Sequence, residues 1–375
     1  MKSIATLILI LSVLNFGKSQ ELNSDSLVKT LSILGHQKFG EISIGGYVDA
    51  YYGFNFNRPE DGNNPYFVSM SRHNEATINL AYLDLKYTQD RLRARIAPGF
   101  GTYMNANYAA EPGALKFLFE ANAGVKLFKN KEIWVDFGVF GSPYTNETCV
   151  SRDHLMYTQS LAPEYVPYYL AGAKLSLPVN QKLNLYIYLL NGWQQIQDQN
   201  KGKSLGTQLE YKPNAKNLLN WNTYIGDERS AAMPDNRMRY FSDIFWTYNP
   251  DGKFTLSTCA YAGIQQRKTI GQLSNHLWWQ ANIVARYKFS KNISLAGRFE
   301  YFDDQDAVQI TNINNPLSGF RTMSGGLCFN LNLFNNAMFR LEGRQFYSLD
   351  DAFKNKDGDA TSWSNWLVGN LTIWF

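Results

Sequence analysis

Residues 363–375, WSNWLVGNLTIWF, close the chain and split cleanly when every second position is read. Trp363, Leu367, Leu371, Ile373 and Phe375 share one parity; Ser364, Asn370 and Thr372 share the other. A period of two is that of a strand with one apolar and one wetted face. Chains rarely stop on a bare aromatic carboxyl-terminus, because termini normally fray into water. Two settings would keep such a strand: the buried edge of a secreted sandwich, or the closing strand of a sheet whose apolar face meets lipid.

Upstream the same alternation is continuous from residue 41. Ile42, Ile44, Val48, Ala50, Tyr52, Phe54 and Phe56 oppose Glu41, Ser43, Tyr47, Asp49, Tyr51 and Asn55. That run exceeds the ordinary soluble strand and suffices for a tilted membrane crossing of about nine to eleven residues. Further strands are expected at 74–87, 91–103, 119–128, 132–141, 168–178, 181–191, 203–212, 218–227, 239–248, 253–264, 278–289, 292–302, 320–333, 337–346 and 362–375. This is about sixteen, an even number as single-chain bacterial barrels require. In the second strand Ile78 and Leu80 fall on the wrong parity. The intervals alternate between short turns, such as Val179-Asn180 and Ser290-Lys291, and longer polar loops, of which 142–167 is the longest.

The first nineteen residues hold Lys2, an apolar run at 4–14 and small residues at 17 and 19, a secretory signal peptide cut before Gln20. The apolar run is too short for a membrane anchor. Residues 20–40 are mixed and polar, a periplasmic lead-in to the sheet at 41–375. Losing the leader removes Lys2 and Lys18 and takes the formal charge from +4 to +2, with no basic run, which excludes nucleic acid as a partner. Aromatics at 15% favour strands and interfacial girdles over helices. Cys149, Cys259 and Cys328 are an odd set, expected as free thiols.

Barrel and sandwich differ in two respects. Short and long connections alternate along the chain, as they do when one rim faces the periplasm and the other the exterior. The apolar parity is nearly free of charge in strand middles, Arg321 at a loop end excepted, while the other parity carries the acids and bases. No helical segment is available to cover so large a sheet, so both faces need a solvent: lipid outside, water within. The expected fold is all-β, a transmembrane up-and-down antiparallel β-barrel. In its closing strand the chain resembles bacterial outer-membrane barrels, which end on a Phe read by their insertion machinery; Phe375 stands there. GYVDAYY (46–52), AYLDL (81–85), LNGW (190–193), NTYIGDE (222–228), FSDIFW (241–246), RFEYF (298–302) and RLEGR (340–344) resemble, in this order, the OmpL-like β-barrel porin-2 family. The resemblance implies a channel-forming outer-membrane protein and carries no established substrate.

The candidate pore-lining residues are Asp49, Asp84, Arg91, Arg93, Arg95, Glu120, Arg286, Arg298, Glu300, Arg340, Glu342 and Arg344. The Arg91/Arg93/Arg95 ladder either lines a wet wall that favours anions or pairs with Asp84 and Glu120 on adjacent strands. Arg340, Glu342 and Arg344 read as a mixed-sign wall network more than as a binding site. Loop 142–167, the third on the outer side, offers Glu147, Arg152, Asp153, His154 and Glu164 as constriction residues if it folds inward as in general porins; otherwise it is a solvated outer loop. No nucleophile, base and orienting group recur at a recognisable spacing. Asp303-Asp304-Gln305-Asp306 and Asp357-Gly358-Asp359 do not complete a calcium loop, and no zinc cluster or phosphate-binding glycine loop is present in the sequence, so no cofactor is expected.

The expected function is passive or weakly selective diffusion of small hydrophilic solutes or ions through the lumen. A surface binding barrel with a plugged lumen is the alternative, and an outer-membrane hydrolase using Asp153 or His154 a third. The lipid bilayer and the insertion machinery are the expected partners. A homo-oligomer fits the porin resemblance, although no flattened apolar wall demands it.

Overall fold

The structure is a computed structural model and describes residues 40–375. The expected leader (1–19) and residues 20–39 of the expected lead-in lie outside the described residues. The barrel strands are β1 (Glu41–Asn55), β2 (Glu75–Gln89), β3 (Leu92–Phe100), β4 (Leu118–Phe128), β5 (Lys131–Gly141), β6 (Tyr169–Pro178), β7 (Leu183–Leu190) and β8 (Ser204–Asn214). They continue as β9 (Asn217–Asp227), β10 (Asn236–Tyr248), β11 (Phe254–Thr269), β12 (Gln272–Lys288), β13 (Ile293–Asp304), β14 (Phe320–Phe334), β15 (Ala337–Ser348) and, after a small hairpin of β16 (Phe353–Lys354) and β17 (Ala360–Thr361), β18 (Trp363–Trp374). Each barrel strand pairs with its sequence neighbours, and β1 pairs antiparallel with β18 from Tyr47↔Trp374 to Asn55↔Trp366. The result is a closed sixteen-stranded barrel with no free edge.

Alternation decides which side chain meets which medium. On β12, Leu277, Trp279 and Ile283 are exposed on the outside, while Trp278, Gln280, Asn282 and Val284 are buried within. The same holds around the wall, from Ile44 and Val48 on β1 to Leu367 and Leu371 on β18. Among the described residues no outer sheet or helix covers these apolar side chains, so their desolvation comes from lipid. All three cysteines are free and buried.

Three details depart from the sequence expectations. The loop expected between 264 and 278 is instead a continuation of both strands to a two-residue turn, Ile270-Gly271, with φ of 51° and 82°. Positive φ at both central positions is the hairpin-turn geometry. The strands there carry polar residues on both parities, which hid the period. The third strand ends at Phe100, three residues early, because the chain reverses at Gly101 (φ 126°) into helix α1 (Thr102–Asn107). A Cβ at Gly101 would lie 2.3 Å from the Asn79 carbonyl oxygen. Finally, Asn79 and Leu80 are consecutive and both fully buried, so the alternation slips there. Asn79 donates to Asp49 at 3.1 Å, and Leu80 joins Tyr47, Tyr82 and Phe119 in an aromatic cluster.

Candidate functional site

The lumen is organised by loop 142–167, which runs down inside the barrel and back. Its descending arm is held by β9–β12: Asn222 Nδ2 donates to the Pro143 carbonyl (3.0 Å), Thr145 N–H to Asp243 Oδ2 (3.2 Å), and Asn146 Nδ2 to Ser257 Oγ (3.0 Å). Its tip is a 3-10 turn, Ser151–Asp153, against the Tyr47 hydroxyl (2.9 Å) and Asp49 (3.2 Å). There the Arg152 guanidinium lies 5.9 Å from the ring of Trp374, the last residue of β18, so the tip has reached the rim that carries the short turns.

The returning arm is bound through its backbone by a strip of charge on β13 and β15. Glu342 Oε2 accepts the N–H groups of Tyr157 (2.9 Å) and Thr158 (2.8 Å). Arg298 donates to the Thr158 carbonyl (2.7 Å), Arg344 to the Gln159 carbonyl (2.9 Å), and Arg340 to the carbonyls of Ser151 (2.7 Å) and Met156 (3.2 Å). Glu300 accepts the Leu161 N–H (2.5 Å). The strip pairs internally, Arg344 with Glu300 at 2.6 Å and Arg298 with Glu342 at 3.2 Å, and these side chains are 0% exposed. Gly326 stands in register between Arg298 and Arg344, leaving room for both long side chains to reach the loop.

The mixed-sign wall network expected of Arg340, Glu342 and Arg344 is present, but the expected pore-lining role of these three and of Arg298 and Glu300 is corrected. They face the lumen as the alternation requires, but the loop covers them, so they line no water-filled space. Asp49 is likewise fully buried beneath the tip, bonded to Ser151, Asn79 and Asn370. Arg286 sits half-buried on the inner face of β12 with no ion pair among the described residues. The loop partners Ser151 and Thr158 were not singled out from sequence, since a hydroxyl in a polar loop carries no distinguishing signal.

Within the loop, Glu147 accepts the Ser160 N–H (2.6 Å) and joins the two arms; burial pushes its carboxyl up. Glu164, in the short helix α2 (Leu161–Glu164), accepts the Val68 N–H and the Tyr168 hydroxyl, both at 2.9 Å, which ties loop 56–74 to loop 142–167. Burial pushes this carboxyl up to about 7. His154 is buried with neither ring nitrogen hydrogen-bonded, and burial together with nearby Arg340 holds it below the usual imidazole range. Asp153 points instead to water, its side chain 62% exposed and 3.5 Å from Arg152. The two therefore form no acid–base pair.

The β2–β6 side of the lumen is different. Arg95 pairs with Asp84 (2.7 Å) and Glu120 (2.6 Å), Lys86 with Asp84 (3.1 Å), and Arg93 with Asp136 (2.5 Å), which also lies 3.8 Å from Lys174. Arg91, at the short-turn end, caps the carbonyls of Lys126 and Leu127. Between this wall and the loop is a cavity of about 240 Å³ lined by Asp84, Lys86, Arg95, Glu120, Glu147 and Arg152, among others. A second, of about 600 Å³, lies toward the short-turn rim, and the two share Lys86, Arg95 and Glu120. Arg152 and Asp153 separate the first from a third, of about 950 Å³, beside Asn332, Asn336 and Trp374.

The family described as "putative beta-barrel porin-2, OmpL-like" matches residues 41–375. The chain belongs to this OmpL-like porin family. It is an outer-membrane barrel, and the short-turn rim, where β1 begins and β18 ends, is the periplasmic one. No curated protein matches it in sequence. Among solved structures the porin is similar in fold to the outer-membrane channel DcaP of Acinetobacter baumannii (10% identity, 90% of this chain and 98% of that chain covered, TM-score 0.59). It is similar also to an anion-selective porin from Comamonas acidovorans (10%, 90% and 100%, 0.58) and to OmpT, an outer membrane protein of Vibrio cholerae (12%, 90% and 98%, 0.56).

Proposed function

We propose that this porin conducts small hydrophilic solutes or ions, passively and with weak selectivity, along the β2–β6 side of its lumen. The observation that carries the reading is the meeting of two cavities at Lys86, Arg95 and Glu120, under the loop residues Glu147, Arg152 and Asp153. A solute passing there meets both signs of charge on wall and loop, so size is filtered more strongly than charge. Purified protein in planar bilayers should give stepwise openings.

A second reading, a surface binding barrel with a plugged lumen, is favoured by the packing elsewhere inside the barrel. Tyr51, Phe67, Met156, Tyr165 and Phe302 fill the lumen beside β13–β1 with buried apolar side chains. Electrical silence from a folded preparation would select this reading. A trimer form of Vibrio cholerae OmpT has been solved, and a homo-oligomer of this porin belongs to the first proposal; crosslinking in intact membranes tests it.

A further inference from the structure

The outer mouth holds another cavity, of about 430 Å³, that the proposed route does not use. Loops 56–74, 305–319 and 349–362 build it, and side chains that reach across to neighbouring backbone make it stiff. Asn57 Nδ2 donates to the carbonyls of Lys354 and Trp363, both at 2.8 Å, and Asn314 Nδ2 to those of Asp351 (2.7 Å) and Phe353 (2.8 Å). The Tyr66 hydroxyl donates to the Ala352 carbonyl (2.5 Å) and accepts the Ile313 N–H (3.0 Å). One side of the cavity is backed by packed rings: Tyr66 stacks on Phe320 with centroids 4.3 Å apart and meets Phe353 edge-on at 5.8 Å. Arg58 and Tyr66 hold φ of 51° and 73°, conformations that cost a non-glycine residue and persist only where surrounding contacts impose them.

On this stiff wall three charged side chains, Arg58, Glu60 and Lys354, have no hydrogen bond or ion pair among the described residues. Asp61 is engaged with Asn63 at 2.9 and 3.1 Å. Two bases thus face two acids, so the wall has no net charge to attract an ion of either sign. Free donors and an acceptor stand beside amide side chains and the apolar flanks of Pro59, Pro65 and Tyr66. A ligand that matches must be uncharged, carry hydroxyl groups around its edge and present CH-rich faces. A cavity of this size stands at the lower end of the usual range for small-molecule sites, so what it encloses is small. We infer that it is a binding site for a neutral mono- or disaccharide taken from the external medium.

The test is calorimetry on the detergent-solubilised full chain with maltose, sucrose and N-acetylglucosamine, and with glucuronate as the charged comparator. At least one neutral sugar should bind, and glucuronate more weakly. The combined variant Arg58→Ala, Glu60→Ala, Lys354→Ala should weaken binding about tenfold or more, as loss of charged hydrogen bonds does. All three side chains are exposed, so the fold should survive, which heat-modifiable migration on gels would verify. Bilayer conductance of that variant should equal the parent's. No binding of any neutral sugar by folded protein, unchanged affinity in the variant, or preference for glucuronate would each overturn the assignment. A silent bilayer with sugar still bound would count against conduction and leave this site standing.

Discussion

Glu342 on β15 holds Thr158 of the lumenal loop by two bonds at once, its Oε2 accepting the backbone N–H at 2.8 Å and its Oε1 the side-chain hydroxyl at 2.5 Å. The same carboxylate accepts the Tyr157 N–H and lies 3.2 Å from Arg298. Glu342→Ala therefore strips three donors of their acceptor and leaves a buried guanidinium with less compensation. Breaking a buried pair in this way costs roughly 3–5 kcal/mol. The expected outcome is a loop released from its seat, with larger single-channel conductance and new proteolytic cleavage between 142 and 167. Conductance and protection that both match the parent would refute this account of the strip.

Arg95 stands where the two cavities meet and is shared by Asp84 and Glu120. Arg95→Gln leaves both carboxylates without their guanidinium in the proposed passage. Reversal potentials across a KCl gradient should then move toward the potassium potential, with the cation-to-anion ratio rising several-fold. Because Lys86 also pairs with Asp84 at 3.1 Å, the variant Lys86→Gln should move selectivity the same way but less. An unchanged ratio in both would place the route elsewhere in the lumen.

The barrel was legible because lipid and lumen impose a period of two on every strand, so Ile42, Ile44 and Val48 announce the outer face without knowledge of their neighbours. Reading failed where another constraint took over. At 265–277 polar residues dominate both faces of the strands, and the hairpin looks like a loop. At Asn79 the bond to Asp49 overrides alternation. The lumenal charges were found, since charge on the inner parity is visible, and so was the pairing of Arg95 with Asp84 and Glu120; that the β13 and β15 charges also seat a loop was not. Whether Arg340 meets water or the Ser151 carbonyl depends on where a loop almost two hundred residues distant comes to lie, and no local pattern encodes that.

Phe375 exchanges two backbone bonds with Gly46, at 3.0 and 3.1 Å, while its ring is 70% exposed. Deleting it should lower the stability of the refolded barrel only by the net value of two such bonds, about 1–3 kcal/mol. If the exposed ring is the feature that the insertion machinery reads, assembly in cells should fall far more than refolding in detergent. Comparing outer-membrane abundance with denaturant midpoints separates the two effects. Equal losses in both would reduce Phe375 to a closing rung of the sheet.

Glu164 supplies a pH dependence with a definite sign. Docked in the lumen, its carboxyl is pushed by burial up to about 7, against 4.5 for the solvated group of a released loop. The docked state therefore keeps a proton that the released state gives up. Docking is favoured in full below 4.5, loses ground between the two values, and is weakest above 7. A shift of this size corresponds to about 3 kcal/mol, and residual exposure of the side chain lowers that figure. Arg344 is the charged neighbour that favours the carboxylate, and burial outweighs it. Open probability should accordingly rise between pH 5.5 and pH 8. Glu164→Gln cannot ionise, yet its amide can still accept the Val68 N–H and bond the Tyr168 hydroxyl, so its openings should change much less over that range, what is left coming from Glu147, whose carboxyl burial also pushes up. A parent channel that closes as pH rises, or a glutamine variant that keeps the full dependence, would remove Glu164 from control of the loop.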